Sequence, residues 1–247
     1  MNLTGKVAVV TGGSGAIGSA TARRLAEAGA KVVVGYNSRA DRADAVVASL
    51  AGDGHQALRI PMLETPVIQD VAAMVERTYG RCDVLVNAAG FTRMIPHQDL
   101  ESLDDDLVDS IFAANVRGPF ATIRAFVPLM RRSGDAVIVN ISSIAAIAGT
   151  GSNIAYGGSK AALDTMALSL ARVLGPGIRV MTVSPAAVDT PFVPGRTTAM
   201  VEKVAATTPL KRVVQADEVA QAVMAAVVNL TASTGWIIPV DGGKLVG

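Results

Sequence analysis

Short runs of apolar, mostly β-branched residues recur along the chain, each followed by a longer stretch whose apolar positions fall three and four apart. Residues 6–10, 31–34, 57–60, 83–86, 137–141, 179–183 and 236–240 are the short runs, seven in all. They show no apolar–polar alternation, so each reads as a strand buried on both faces. Between them, helical spacing covers Ala20, Ala22, Leu25 and Ala26 up to Gly29, then 42–50, 70–79, 110–130, the stretch from Tyr156 to 174, and 216–228. Pro61 and Pro66 are expected to bracket an irregular loop. The acids from Asp99 to Asp109 read as a helix N-terminal turn favoured by its dipole. Strand, helix and strand in regular succession predict an α/β fold: a single-domain, doubly wound parallel sheet of about seven strands with helices on both faces. No repeat, linker or low-complexity segment divides residues 1–247, so one dinucleotide-binding catalytic domain is expected.

Composition narrows the function classes. Hydrophobic residues make up 50% of the 247 and charged residues 17%, with a net charge of +1. There is no basic run to draw nucleic acid or an anionic membrane. The apolar run after Lys6 is too short for a signal-peptide core, and no run approaches the roughly 18 residues of a spanning helix. A cytoplasmic protein is expected. One cysteine, Cys82, excludes an internal disulfide and a cysteine-ligated zinc site. Two histidines, His55 and His97, give no case for a metal centre.

The first strand runs into Thr11-Gly12-Gly13-Ser14-Gly15-Ala16-Ile17-Gly18 and then a helix. Gly13-x-Gly15-x-x-Gly18 in that setting fits a dinucleotide loop, where glycines let the backbone approach a pyrophosphate and the helix N-terminus offers free N–H groups. After the second strand comes Asn37-Ser38-Arg39, with no acid before Asp41. Ser38 and Arg39 suit the 2′-phosphate of NADP(H) better than the bare ribose of NAD(H), which stays possible. Asn87-Ala88-Ala89-Gly90 closes the fourth strand with residues small enough for a flat cofactor to lie on. Tyr156 and Lys160 stand one helical turn apart on one face. A free phenol titrates too high to serve near neutrality, and a neighbouring ammonium ion favours its ionised form. With Ser143 brought in from the end of the fifth strand, these form an acid–base site for a carbonyl or alcohol.

These motifs, in this order, resemble the short-chain dehydrogenase/reductase family, of the single-domain type that includes 3-oxoacyl-[acyl-carrier-protein] reductases. The likeness covers Thr11 to Gly18, Asn87 to Gly90, Asn115, Ser143, Tyr156, Lys160, the Pro185 to Thr190 turn and Asp241-Gly242-Gly243. It implies that Tyr156 is the general acid in reduction and the base in oxidation. Lys160 would lower the Tyr156 pKa and bond the nicotinamide ribose, Ser143 would orient the substrate oxygen, and Asn115 would hold a water in a proton relay. Pro185, Ala186, Val188 and Thr190 would lie by the nicotinamide. A homotetramer, or a dimer, is implied through the helices carrying Asn115 and Lys160.

The chain departs from the family pattern at three places. Ala16 stands for the middle glycine of the loop, Ala186 for the glycine after Pro185, and Met62-Leu63 where Asp-Val meets adenine. Residues 192–208 read as a substrate lid and 91–100 as the facing loop, offering Phe91, Met94, Ile95, Phe192 and Val193, with His97 and Arg196 as polar contacts and Ile147 from the Ser143 stretch. The expected partner is a small carbonyl or alcohol compound, with no nucleic acid and no membrane. The rival readings are an NAD-dependent alcohol dehydrogenase on the same fold, a catalytically idle dinucleotide-binding regulator, and a hydrolase using Ser143 or Ser159 with Lys160.

Overall fold

The computed structural model describes residues 1–247. Its elements in chain order are β1 (Val7–Thr11), α1 (Ala16–Glu27), β2 (Lys31–Tyr36), α2 (Ala40–Ala48), β3 (Gln56–Arg59), α3 (Thr65–Tyr79), β4 (Val84–Asn87), α4 (Asp105–Phe112), a π-helical turn (Ala113–Arg117), α5 (Gly118–Ser133), β5 (Ala136–Ile141), the short α6 (Ala145–Ala148), α7 (Ile154–Leu174), β6 (Ile178–Pro185), α8 (Thr198–Ala205), α9 (Ala216–Met224), a second π turn (Ala225–Asn229) and β7 (Trp236–Val240). All seven strands are parallel, in the order β3-β2-β1-β4-β5-β6-β7. The order reverses between β1 and β4, and such a reversal leaves a crevice at the carboxyl ends of the strands.

Strand alternation builds a core on each side of this sheet. Ala8, Val10, Val32, Val34, Val86 and Val139 face α1, α2 and α9, where Ala22, Leu25, Val46 and Val223 cover them. Val7, Val9, Val33, Leu85, Ile138 and Val180 face α3, α5 and α7, under Ile68, Val75, Phe126 and Ala167. That is why the strands read as continuous apolar runs. At the amino end of the sheet the buried Asp83 accepts from Val7 N at 2.9 Å and is paired with Arg81 (2.7 Å) and Lys6 (3.4 Å). No helix is long and apolar enough to cross a membrane.

Three expectations change. Pro66 lies in the first turn of α3, where a missing N–H costs nothing, so the helix starts at Thr65 and the irregular loop ends there. The stretch 110–130 is interrupted by the π turn at Ala113–Arg117, where Gly118 N reaches back to the Ala113 carbonyl. Pro119 has no N–H to give the Asn115 carbonyl four residues back, which favours a break in the α pattern here. The span 192–208 holds an ordered helix, α8, capped by Thr197, whose side chain accepts from Met200 N.

Candidate active site

The carboxyl ends of the parallel strands bring four segments together: the glycine loop after β1, Asn87 to Gly90 after β4, Ser142–Ser143 after β5, and the turn after β6. The first two are locked. Gly12 has φ +63°, and a Cβ there would lie 2.8 Å from Ala89 Cα; Ala89 N donates to Thr11 Oγ1 at 3.2 Å. At Gly18 a Cβ would come within 2.2 Å of the Gly12 carbonyl oxygen, so only glycine lets α1 start this close to the loop. Gly15 is the N-cap of α1 with no side-chain cap, leaving the first-turn N–H groups around Ile17 for a ligand. Ser14 is half-exposed beside them. Ala16 already begins the helix, which makes this departure a change of side chain at an element start and leaves the loop's tight contacts to Gly12 and Gly18. The cradle is one a Cβ would fill, and these residues fit a dinucleotide pyrophosphate.

The loop after β2 is arranged differently from expectation. Arg39 is not free: its Nε and Nη2 donate to the two Asp41 carboxylate oxygens at 2.9 and 2.7 Å, and this pair holds the Asp41 pKa down to about 2. Ser38 beside it is exposed, and the Asn37 carbonyl accepts from Arg59 Nε at 3.2 Å. Arg59, on β3 beside Tyr36, therefore brings a second guanidinium to this corner, itself paired with Glu64. Met62 is buried, and a Cβ on Gly118 would lie 2.7 Å from its Cβ; it belongs to the core, while Leu63 is exposed.

Tyr156 and Lys160 both lie in the first two turns of α7. Asn153 caps this helix, accepting from Tyr156 N at 2.7 Å through its side chain. Its amide nitrogen donates to Arg93 O at 2.7 Å and Thr92 Oγ1 at 3.2 Å, which ties the start of α7 to the loop after β4. Asn153 was missed in the sequence; its signal was an asparagine just before a helical run. Asn115, on the π turn, accepts from Phe91 N at 2.8 Å and donates to Phe91 O at 2.9 Å and Ser159 Oγ at 3.1 Å. Its side chain is thus spent on positioning. Gly90 lies against it, since a Cβ there would stand 3.1 Å from Asn115 Oδ1 and 3.6 Å from Phe192 Cζ. Ala88 and Ala89 are half-buried, whereas Asn87 turns into the sheet and donates to Asn140 Oδ1 at 2.9 Å.

Burial sets the electrostatics of this pair. Burial pushes the Tyr156 phenol up to about 12, and the groups that pull it back are the Ser143 hydroxyl and the Arg196 guanidinium. Lys160 is engaged with the backbone. Its Nζ donates to the Ile141 carbonyl at 2.8 Å and stands 5.7 Å from the Tyr156 ring centre, while burial pushes its own pKa down to about 8. The lysine is in reach of the phenol's face and is turned toward the backbone.

On the substrate side, the Phe192 ring lies 6.2 Å from that of Tyr156, tilted by 55°. Arg196 donates to the Val188 carbonyl at 2.6 Å, and its Nε is buried without a partner, as is His97 Nε2. Met94 is half-buried and Ile147 is 56% exposed on α6. Val193 is buried at 6% and leaves Phe192 as the exposed apolar group of its turn. After β6, Pro185 ends the strand, Ala186 N donates to Val240 O at 3.0 Å, and Val188 is buried in a bridge to Val214 with Thr190 half-buried beyond it. Ala186 keeps its N–H engaged in the sheet, so no glycine is needed there.

Comparison with known proteins agrees with this geometry. The family described as Enoyl-(Acyl carrier protein) reductase matches residues 12–244. The 3-oxoacyl-[acyl-carrier-protein] reductase of Thermotoga maritima is 32% identical over 250 residues, covering 100% of both chains. The cis-4-hydroxycyclohexanecarboxylate dehydrogenase of Sinomonas cyclohexanicum is 36% identical, covering 96% of each. A short-chain dehydrogenase from Burkholderia cenocepacia J2315, solved in complex with NADP, superposes with a TM-score of 0.89 at 32% identity over 100% of both chains. The seven-stranded parallel fold and matches spanning nearly every residue lead to one assignment: the chain belongs to the short-chain dehydrogenase/reductase family of NAD(P)-dependent oxidoreductases, and resembles its 3-oxoacyl-[acyl-carrier-protein] reductases.

Proposed function

We propose that residues 1–247 act as one catalytic domain, an NADP(H)-dependent oxidoreductase that interconverts a ketone and a secondary alcohol. The observation that carries this is Tyr156 beside Lys160 on α7, its phenol pulled down by Ser143 from the end of β5, at the carboxyl edge of the sheet next to a glycine loop that fits a dinucleotide. Bound nicotinamide supplies or takes up the hydride. Everything else falls to this chain. Ser143 holds the substrate oxygen, and Tyr156 gives it a proton in reduction and takes one in oxidation. In that role the phenol must come down from about 12, and Ser143 and Arg196 already pull in that direction. Lys160 adds to this once its ammonium ion turns from the Ile141 carbonyl toward the cofactor ribose. Asn115 holds the Phe91 backbone and Ser159 in place beneath the site, and its carbonyl, which Pro119 cannot bond, is the group suited to hold a relay water.

The pocket is bounded by Phe192, Ile147 and Met94, with Arg196 and His97 as polar contacts, and this suits a partly apolar carbonyl compound. The named activities of the two relatives, on a 3-oxoacyl group and on a hydroxylated ring carboxylate, both belong to that class. A second reading, NAD(H) preference, is favoured by the Arg39–Asp41 pair, because a guanidinium already neutralised offers less to a 2′-phosphate. A homotetramer is supported by Phe112, Phe120 and Leu168, exposed on α4, α5 and α7. A cytoplasmic place suits a reductase that draws on a soluble nicotinamide pool. The test is steady-state turnover of a ketone panel, 3-oxoacyl thioesters included, with NADPH and NADH compared. NADPH-dependent turnover of at least one ketone supports the reading, and none with either cofactor removes it.

A further inference from the structure

The sheet face that carries α3, α5 and α7 is apolar for most of its length and turns polar in its last layer. Thr11, Asn87, Asn140 and Thr182 are successive register partners on β1, β4, β5 and β6, all buried, with Ser142 and Ser184 one step further along. Thr11 Oγ1 accepts from Ala89 N, Ser142 Oγ donates to the Lys160 carbonyl and Asn87 bonds Asn140, but Asn87 Oδ1, Asn140 Nδ2, Thr182 Oγ1 and Ser184 Oγ have no partner in the chain. Two charged side chains of α7, which packs on this face, are buried: Lys160 at 4% exposure, its Nζ on the Ile141 carbonyl, and Asp164 at 6%. They are one helical turn apart on one stripe. Packing asks for no carboxylate at 164, because the stripe continues as Ala167, Ala171 and Leu174.

A carboxylate is almost never buried without a cation. Burial raises the Asp164 pKa, and the Ser142 hydroxyl and the Lys160 ammonium ion pull it back; burial lowers the Lys160 pKa, and Asp164 opposes that shift. The other charged groups near the site are Arg196, from the segment after β6, and Tyr156 on the same helix, which act on each other. Lys160 Nζ already has the Ile141 carbonyl, whereas Asp164 Oδ1 has no hydrogen-bond partner. We propose that Asp164 is a positioning residue of the acid–base site: a buried carboxylate, one turn below Lys160 on the same stripe, whose negative charge favours the ammonium form of the lysine beneath Tyr156. Burial alone drives Lys160 toward the neutral amine, which neither stabilises a phenolate nor donates three hydrogen bonds. Asp164 opposes that drive from inside the sheet, on the side away from substrate.

The proposal rests on Lys160 being the partner of Tyr156, but its test needs no turnover, so it fails separately from the reductase reading. Protein labelled with ¹³C at lysine Cε is titrated by NMR, with the Lys160 resonance identified by its loss in Lys160→Met. In Asp164→Asn, which keeps side-chain size, the Lys160 midpoint should fall by about one unit or more. A packing role alone would leave it in place, and a midpoint within about 0.3 unit of the wild type overturns the proposal. The coupling is reciprocal, so a second titration keeps the proposal falsifiable if Asp164→Asn does not fold. With ¹³C-labelled aspartate, the Asp164 carboxyl in Lys160→Met should titrate about one unit or more above its wild-type midpoint. An unchanged Asp164 overturns the proposal equally.

Discussion

Lys160 Nζ stands 5.7 Å from the centre of the Tyr156 ring while it donates to the Ile141 carbonyl at 2.8 Å. The pair proposed to carry the chemistry is therefore linked through a face and a backbone group, with no direct bond between the two polar atoms. Tyr156→Phe removes the phenolic hydroxyl and leaves the ring against Phe192 and the cap at Asn153 intact. Its kcat should fall by about 10²–10⁴-fold, the usual range for one acid–base group, with NADPH affinity within about threefold of wild type. Stopped-flow turnover and nicotinamide fluorescence read the two quantities. A variant keeping a tenth of its activity would remove Tyr156 from the role.

The same pair shapes stability against pH. Unfolded, Lys160 keeps its proton to about 10.5; folded, it gives it up at about 8. Between those values the unfolded chain binds more protons, so this group adds stability as pH rises. Tyr156 has the opposite sign: its folded value near 12 exceeds the ordinary 10, and its contribution is lost above pH 10. The unfolding free energy of wild type minus that of Lys160→Met should climb by about 2 kcal/mol from pH 8 to 10. Urea melts at pH 8, 9 and 10 measure this, and a flat difference would mean that Lys160 is not buried as a titrating group.

Gly18 and Gly15 differ in what a methyl group would meet. At Gly18 it would lie 2.2 Å from the Gly12 carbonyl, with Gly13 Cα at 2.8 Å; at Gly15 the same oxygen is 3.2 Å away. Gly18→Ala should lower the melting temperature by several degrees and abolish dinucleotide binding, while Gly15→Ala should fold with near-wild-type stability. Differential scanning fluorimetry with and without NADPH separates them, and a Gly18→Ala variant stabilised by cofactor would contradict the contact.

Periodicity placed the central strands because they are apolar on both faces, while the edge strands β3 and β7 proved only partly buried, and it found the glycine loop because that loop interrupts the pattern. It could not see which way a polar side chain turns. Arg39 was legible as a cation at the right loop, but its pairing with Asp41 depends on a two-residue spacing that many exposed arginines share. Asp164 was illegible for a different reason, since it looks like an ordinary helix residue until the tertiary fold buries it, and Asn153, readable as a cap, gave no sign of its bond to Thr92. The break at Asn115 had a sequence signal, Pro119, whose effect is on a carbonyl four residues away.

Phe112, Phe120 and Leu168 lie 37%, 42% and 44% exposed on α4, α5 and α7, and Arg124 stacks at 6.0 Å over the Phe120 ring. If these faces pair between copies, Phe120→Glu buries a charge in each contact. Sedimentation velocity should then show the proposed assembly replaced by smaller species, with the far-ultraviolet circular dichroism of the subunit retained. An unchanged sedimentation coefficient would place the interface elsewhere.

Arg39 and Asp41 form a bidentate, exposed pair at the end of β2, and Asp41, held near 2, stays ionised throughout the working range. A 2′-phosphate entering there competes with that carboxylate for the same guanidinium. Removing the competitor and removing the guanidinium should therefore act in opposite directions. Asp41→Asn should tighten NADPH by about threefold or more and leave NADH almost unchanged, since the freed fork can take phosphate bidentately. Arg39→Ala should weaken NADPH by about tenfold or more with little effect on NADH. Raising salt should reduce the NADPH advantage of Asp41→Asn, because the contact is exposed and screened. Fluorescence titration of both cofactors at low and high salt reads all of these. Equal changes for NADPH and NADH in the two variants would show that the phosphate does not meet Arg39, and Arg59, whose Nε bonds the Asn37 carbonyl, would be the cation to substitute next.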